Sequence, residues 1–332
     1  MSTKEHQAKI VKRIEISLNI LFLCFANLTN DIMIDWSDFT KMNTDEWMQK
    51  ADLDSKGKYQ AADFAYSVEN DFSVNPFLTS SPEHDLTLDA NFSTKCGIMI
   101  DGSQVKQANQ IAHQHLASGV ESLVFWIDGD SDISSLLHDI QPQYVDTMML
   151  VRENLERCQQ NLSEYFQKNN SYSPENIVIT KPKNLKQDWT FKERILQANI
   201  WMANEDEMTI VVEPKKDFLA QIAEFRALRM IWKKHKKPSQ NLKIVSVSKV
   251  SKEDQDLHPL IIENYKLMSA YLGMCDVVCI ENNDDKEMVR LLINVMYIFK
   301  HEAKLNVVID PVKGSYIIEE LTSKMINMTS NQ

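Results

Sequence analysis

Four carboxylates stand where catalytic groups are most readily gathered. Asp101-Gly102, Asp128-Gly129, Glu213-Pro214 and Asp310-Pro311 each follow a short β-branched or apolar run, so each falls at or just past the end of a predicted strand. In a parallel barrel those ends share one face, and carboxylates gathered there can form an acid–base pair with perturbed proton affinities. The same positions suit a structural task, because an acidic side chain there accepts from the free N–H groups of the next helix. Sequence alone leaves both readings open. Other chemistries are poorly served. Cys24, Cys96, Cys158, Cys275 and Cys279 are too few and scattered for a disulfide framework, and no C-x2-C pair points to zinc. Cys275 and Cys279 fall around one apolar strand, where cysteine serves as a small hydrophobe. His113 and His115 stand two apart on a predicted helix and face different directions, so no metal site is expected.

The elements that must hold these residues form a regular series from residue 97. Strands are predicted at Gly97–Asp101, Ser122–Ile127, Thr147–Val151, Asn176–Thr180, Thr209–Glu213, Lys243–Val247, Asp276–Ile280 and Asn306–Asp310. Helical patterns alternate with them, near Val105–Ser118, Ile133–Asp139, Val151–Gln167, Phe191–Met202, Phe218–Lys236, Leu260–Leu272, Lys286–Ala303 and Tyr316–Met328. Such alternation marks parallel βαβ units, and eight of them fit an α/β fold of the (β/α)8 TIM-barrel type better than an open doubly wound sheet. Residues 36–96 lack long periodic segments but carry Trp36, Trp47, Phe72 and Phe77, apolar groups that need a surface to cover them.

The division expected is an amino-terminal extension over 1–35, an extended arm over 36–96 that packs on the barrel or a partner subunit, and the barrel over 97–332. In the extension, Lys4, Lys9, Lys12 and Arg13 precede the apolar run Ile20–Ala26, which Glu15 and Asn19 interrupt. That run is too short to span a bilayer and lacks a secretory cleavage signal. It reads as a helix, or as upstream sequence ahead of a start at Met33.

Composition narrows the function classes. With 43% apolar and 25% charged residues the chain has an ordinary globular make-up. A net charge of −11 argues against a nucleic-acid partner, which leaves a basic footprint. The one dense basic run, Lys233-Lys234-His235-Lys236-Lys237, ends a predicted helix, where cations complement the dipole. Cysteine usage fits a reducing, cytoplasmic setting.

Three stretches, marked by Val74-Asn75-Pro76-Phe77, by Glu224-Phe225-Arg226 and by Asp310-Pro311 with Gly314-Ser315-Tyr316, together resemble one family, the methylmalonyl-CoA mutases. The first comprises Asp45-Glu46-Trp47, Lys56-Gly57 and Val74-Asn75-Pro76-Phe77-Leu78-Thr79. The second is Ile222-Ala223-Glu224-Phe225-Arg226-Ala227-Leu228-Arg229, followed by Trp232. The third, and most specific, runs from Arg290, Asn294 and Glu302 through Asp310-Pro311 and Gly314-Ser315-Tyr316 to Glu319, Leu321 and Thr322. Their order and spacing span most of residues 36–325. Each also has a physical reading. Arg226 and Arg229, three apart, share a helix face and can pair with carboxylates. Proline after Asp310 ends a strand, and Gly314-Ser315 supply a turn and a helix N-cap.

The resemblance implies an adenosylcobalamin-dependent radical rearrangement of an acyl-CoA, and the chain departs from it where catalysis would occur. Glu213-Pro214-Lys215-Lys216-Asp217-Phe218 matches a run that reads like Asn-Ala-His-Asn-Asp-Phe in the family's catalytic chain. Asp217 and Phe218 are kept, but Lys215 stands at the substrate-contacting histidine. A hydrated lysine cation has no neutral donor–acceptor tautomer and replaces it poorly. Ile262, aligned through Gly273, stands at the arginine that would hold the substrate carboxylate. The family's cobalamin signature, D-x-H-x-x-G, has one near match in Asp256-Leu257-His258, with Ile261 at the glycine position.

Glycine usage points the same way. The chain has only 7 glycines in 332 residues, and the strands carry Met99, Phe125, Trp126, Met148, Met149 and Ile177, of which alternate positions must point inward. A barrel so filled would not admit a threaded CoA arm. The resemblance therefore implies the family's small, non-catalytic subunit, shortened, lacking the cobalamin-binding domain, binding no cofactor itself, and forming a heterodimer with the catalytic large subunit. Glu213, Asp217, Arg226, Arg229, Asp310, Ser315 and Tyr316 carry the likeness. Two other readings stand beside it: an independent barrel enzyme using the strand-end carboxylates, and a stand-alone acyl-CoA-binding protein.

Overall fold

The computed structural model describes residues 43–69, 71–75, 77–80, 82–85, 92–168, 177–250 and 259–330. The expectations for residues 1–35, for Trp36 and for Asp256-Leu257-His258 lie outside the described residues. The chain divides into two compact units, the second beginning at Tyr59. In the first, helix α1 (Thr44–Asp54) opens on a capping box. Asn43 Oδ1 accepts from the Glu46 N–H at 2.8 Å, and Glu46 Oε2 accepts from the Asn43 N–H at 3.0 Å. The Asp45-Glu46 pair of the family-like arm is thus a helix start, with acidic groups where the dipole favours them.

The second unit begins with a short antiparallel hairpin, β1 (Tyr66–Val68) and β2 (Phe72–Val74). Side-chain alternation turns Val68 and Val74 inward, and both are buried in the main core. In the turn between the strands, Glu69 Oε2 and Asp71 Oδ2 accept from the Phe191 and Lys192 N–H groups, each at 3.0 Å. Those donors open a helix and have no partner within it, so the acidic turn caps that helix and docks the hairpin at once.

Eight parallel strands follow: β3 (Lys95–Asp101), β4 (Ser122–Ile127), β5 (Asp146–Val151), β6 (Ile177–Thr180), β7 (Lys183–Leu185), β8 (Met208–Val212), β9 (Leu242–Ser248) and β10 (Val277–Glu281). They form one sheet in the order β6-β5-β4-β3-β10-β9-β8-β7. The outermost two, β6 and β7, are separated in sequence by Lys181 and Pro182 alone. The three backbone steps between them reach about 11 Å at most. A flat sheet of eight strands would hold its edges roughly 34 Å apart. The sheet therefore curls back on itself, and the fold is α/β and TIM-barrel-like. Around it run α2 (Val105–Ala117), α3 (Ile133–Leu136), α4 (Leu155–Lys168), α5 (Phe191–Asn204), α6 (Phe218–Lys234), α7 (Pro259–Leu272), α8 (Lys286–Tyr297) and α9 (Tyr316–Met328). Among the described residues no helix is long and apolar enough to cross a membrane.

The count of eight strands is reached by a different route from the one expected. Asn306–Asp310, read from sequence as the last strand, forms turns and bends, with Val307 and Val308 68% and 62% exposed. Two long-range contacts explain this. β10 pairs directly with β3, from Val277 opposite Lys95 to Glu281 opposite Met99. Gly97 permits it, since a Cβ there would lie 2.7 Å from both Cys279 Sγ and Val277 Cγ1. Asp310, meanwhile, is held by Arg226 of α6, off the sheet. The eighth strand is instead β7, which continues β6 beyond Pro182, a residue with no N–H to extend the ladder.

Two cores result. Inside the curl lie Met99, Val124, Met148, Leu150, Val211, Val245, Val247, Val277 and Cys279, with Trp126 and Val178 against them. Between sheet and helices lies the larger core, which takes Phe125 and Met149, with Ile177 packed on it. Of the bulky strand residues singled out from sequence, Met99, Trp126 and Met148 thus face inward and the other three outward, as a period of two requires.

Candidate functional site

The carboxyl ends of the strands surround a cavity of about 680 Å³. That is a volume suited to a small molecule. Its floor is apolar, from Met99, Val211, Val247 and Trp126, and its wall is charged. Asp101 ends β3, Arg152 follows β5, Lys186 and Asp188 follow β7, Glu213 follows β8, Lys249 follows β9, and Glu281 ends β10. Residues at or just past the ends of β3, β5, β7, β8, β9 and β10 share one rim, so residues far apart in sequence meet here.

Most of these charges are matched locally. Arg152 Nη2 is 2.9 Å from Asp101 Oδ1 and Nη1 is 3.6 Å from Asp128 Oδ2, while its guanidinium carbon lies 5.8 Å from the centre of the Trp126 ring. The Ser103 hydroxyl donates to Asp101 at 2.6 Å, and this bond, together with Arg152, holds the Asp101 carboxyl below its ordinary range. Lys249 Nζ is 3.6 Å from Glu213 Oε2. Glu281 has no ion pair among the described residues. Burial pushes its carboxyl above the ordinary range, and nearby Glu213 and Asp101 add to the rise while Lys249 opposes it.

Of the four strand-end carboxylates, then, Asp101 and Glu213 line the cavity and Asp128 is tied to its rim by Arg152. Asp310 is elsewhere. Arg152, Lys249 and Glu281 were missed by sequence reasoning. Glu281 falls one residue past the predicted end of its strand, and the rule that found Asp128 just past Ile127 would have found it. Arg152 had been placed in a helix, and Lys249 carries no local signal.

Most of the family-like positions perform a different task. Arg226 is wholly buried in α6, and its Nε and Nη2 donate side-on to Asp310 Oδ1 and Oδ2 at 2.9 and 2.7 Å. The same guanidinium reaches Glu319 Oε1 and Oε2 at 3.0 and 3.3 Å and Thr322 Oγ1 at 3.1 Å. The Gly314 and His84 N–H groups complete the shell of Glu319, at 3.1 and 3.2 Å. Two of the three family-like stretches thus meet at one guanidinium, as a clasp between α6 and the carboxyl-terminal segment. Bidentate geometry and filled lone pairs are what a charge so deeply buried requires.

Arg229 makes a second staple, with Nη2 3.0 Å from Asp276 Oδ2 and Nε 3.0 Å from the Met274 carbonyl oxygen. Asp217 caps α6 by accepting from the Ala220 N–H at 3.1 Å, and the Tyr66 hydroxyl also donates to it. Ser315 holds the N-cap position of α9 as expected, but its side chain makes no capping bond. The Gly314 N–H and Glu319 bond closes that end instead, leaving Tyr316 half exposed.

Lys215 and Ile262 lie outside the cavity lining. The Lys215 ammonium donates to Glu69 of the hairpin and sits 5.1 Å from the centre of the Phe191 ring. Its backbone N–H donates to Gln221 Oε1 at 2.8 Å, and Gln221 in turn donates to Glu224 Oε2 at 2.7 Å. Glu224 faces Arg194 at 2.8 Å in a pair with no solvent exposure. Lys215 is therefore the outer end of a polar chain linking hairpin to helix layer. Ile262 is buried within α7.

Comparison with known proteins bears on the carboxyl-terminal part. Residues 204–331 match the family model for methylmalonyl-CoA mutase. This stretch contains Arg226, Arg229, Asp310 and Glu319, and the match supports a relationship to that mutase family. No curated protein matches the chain. Among solved structures, it is similar to a dipeptide epimerase from Methylococcus capsulatus complexed with Mg ion, at 12% identity and a TM-score of 0.35. The likeness covers 60% of this chain and 58% of that one, and carries no argument.

Proposed function

We propose that this chain is a supporting, non-catalytic subunit of a methylmalonyl-CoA mutase-type assembly, paired with a separate chain that carries out the cobalamin chemistry. The observation that carries the reading is the state of Lys215. In the family's catalytic chain the matching position is a histidine directed at substrate. Here a cation stands there, bonded to Glu69 and outside the cavity lining. Ile262, at the position of the substrate-binding arginine, is buried and offers no donor.

The interior supports the same reading. Met99, Met148, Leu150 and five valines fill the axis along which an acyl-CoA arm would thread. None of the side chains lining the cavity is a histidine that could serve cobalt. The residues that do keep the family pattern, Arg226, Arg229, Asp310 and Glu319, hold helices together. Conserving a clasp while losing the site is what a scaffold subunit requires.

The test is co-purification of the full chain with the mutase chain of its own cell, followed by adenosylcobalamin-dependent isomerase assays on each chain alone and on the mixture. A stoichiometric complex, active only with the partner and unaffected by Lys215→Ala, is the expected result. Turnover by this chain alone, or no association at any concentration, would overturn the proposal.

A further inference from the structure

We propose that the barrel-mouth cavity binds a small organic ammonium compound, with Glu281 as its counter-ion and the Trp126–Met99–Val211–Val247 floor receiving its apolar body. The inference concerns this chain's own cavity and does not rest on the supporting-subunit reading.

It follows from accounting for every charge on the wall. Arg152 is held between Asp101 and Asp128, at 2.9 and 3.6 Å, and is further occupied over the Trp126 ring. Lys186 Nζ lies 5.5 Å from the centre of the Trp189 ring. Lys249 is 3.6 Å from Glu213. Each cation thus has an electron-rich neighbour. An anionic ligand would have to break one of these arrangements and would face Asp101, Asp188, Glu213 and Glu281 as it entered.

The carboxylates are not all matched in the same way. Asp101 and Glu213 have ion-pair partners, whereas Asp188, past β7, and Glu281, at the end of β10 and beside Glu213 and Asp101, have none among the described residues. The groups acting on it come from three neighbouring strand ends: Lys249 from β9, Glu213 from β8 and Asp101 from β3. Two carboxylates and one cation already paired with Glu213 leave the site short of a positive charge. Burial is the main cause of the raised proton affinity of Glu281, and Glu213 and Asp101 add to it against Lys249. A ligand ammonium would supply the missing charge beside a half-buried carboxylate, where a charge-assisted bond is stronger than in water.

The floor limits the rest of the molecule. Met99, Val211 and Val247 offer no hydrogen-bonding side chain and call for a short hydrocarbon body. The enclosed volume of about 680 Å³ leaves ample room for such a body.

The experiment is calorimetric titration of the full chain with n-butylammonium, butyrate and 1-butanol at matched ionic strength. Saturable binding of butylammonium alone is expected, weakening as pH falls and Glu281 takes up its proton. Glu281→Gln keeps the side chain's shape and should weaken binding about 10- to 100-fold, the worth of one charge-assisted bond. Lys249→Met removes the cation that acts on Glu281 and should strengthen binding several-fold. Opposite shifts in two variants of one cavity wall cannot both come from loss of the fold. Tighter binding of butyrate than of butylammonium, unchanged affinity in Glu281→Gln, or no saturable amine binding would overturn the proposal.

Discussion

Replacing Arg226 with alanine should unfold the barrel's carboxyl-terminal closure at markedly lower temperature. The guanidinium has no solvent exposure, and the carboxylates it serves, Asp310 and Glu319, are 3% and 0% exposed. Solvent screening therefore cannot soften the loss. Removing one partner of a buried ion pair costs about 3–5 kcal/mol, because the remaining charge is stranded. Here two are stranded. For a unit of this size, that corresponds to a fall in Tm of about 5–9 °C. Differential scanning calorimetry measures the fall, and limited trypsin digestion at Lys313 and Lys324 locates it. A control separates charge from packing: Arg226→Met/Asp310→Asn/Glu319→Gln strands no charge and should recover a large part of the loss. Asparagine at 310 also tolerates the left-handed backbone there, where φ is 52°. A Tm drop below about 2 °C for Arg226→Ala, or a triple variant as unstable as the single one, would refute the argument.

Other outcomes follow from features elsewhere in the barrel. Gly97→Ala drives a methyl group into Cys279 and Val277 and should cost about 1–3 kcal/mol by denaturant melt. Lys215→Met breaks the bond to Glu69, which is partly exposed, so global stability should fall by no more than about 1 kcal/mol. Hydrogen exchange should nevertheless rise over Tyr66–Val74. Burial lowers the affinity of His84 for its proton despite the pull of Glu319, so the unfolded chain takes up that proton first. Stability should drain as pH falls below about 6.5, the ordinary histidine value, and less so in His84→Gln, as read from Tm against pH. Glu281 has the reverse sign: its raised affinity makes the folded chain lose stability as pH rises above 4.5, a loss that Glu281→Gln should lack.

Local patterns in the sequence carried the alternation of strand and helix, and with it the fold class and the face where a cavity forms. They failed where two segments distant in sequence decide an outcome. The β-branched run Asn306–Asp310 has every local mark of a strand, yet Arg226 holds its last residue and Gly97 lets β3 and β10 close without it. Pro182, two residues past the predicted end of the fourth strand, marks the break between β6 and β7, but nothing local says that a further strand follows it. At the cavity, Asp101 and Glu213 were legible because strand ends are legible. That Arg152 would sit on Trp126, or that Lys249 would choose Glu213 over Glu281, depends on side-chain geometry that one-dimensional spacing does not contain. The family-like residues were visible as a set, and Arg226 and Arg229 as a pair awaiting carboxylates. That Asp310, Glu319 and Thr322 would gather on one of them was not.

The pairing of β3 with β10 also has a kinetic meaning. Every other junction in the sheet joins strands that are consecutive, or nearly so, along the chain, and can form as each βα unit emerges. This one joins the first parallel strand to the last, so its loop-closure entropy is the largest in the sheet and its contacts raise the contact order more than those of any other strand pair there. Folding should therefore end there, with an open, curled intermediate that exposes the β3 and β9 edges until β10 arrives. Gly97, at the centre of the seam, then serves the folding rate as well as the packing. A chain cut short before Val277 should be prone to edge-to-edge association, and should lose solubility before it loses secondary structure.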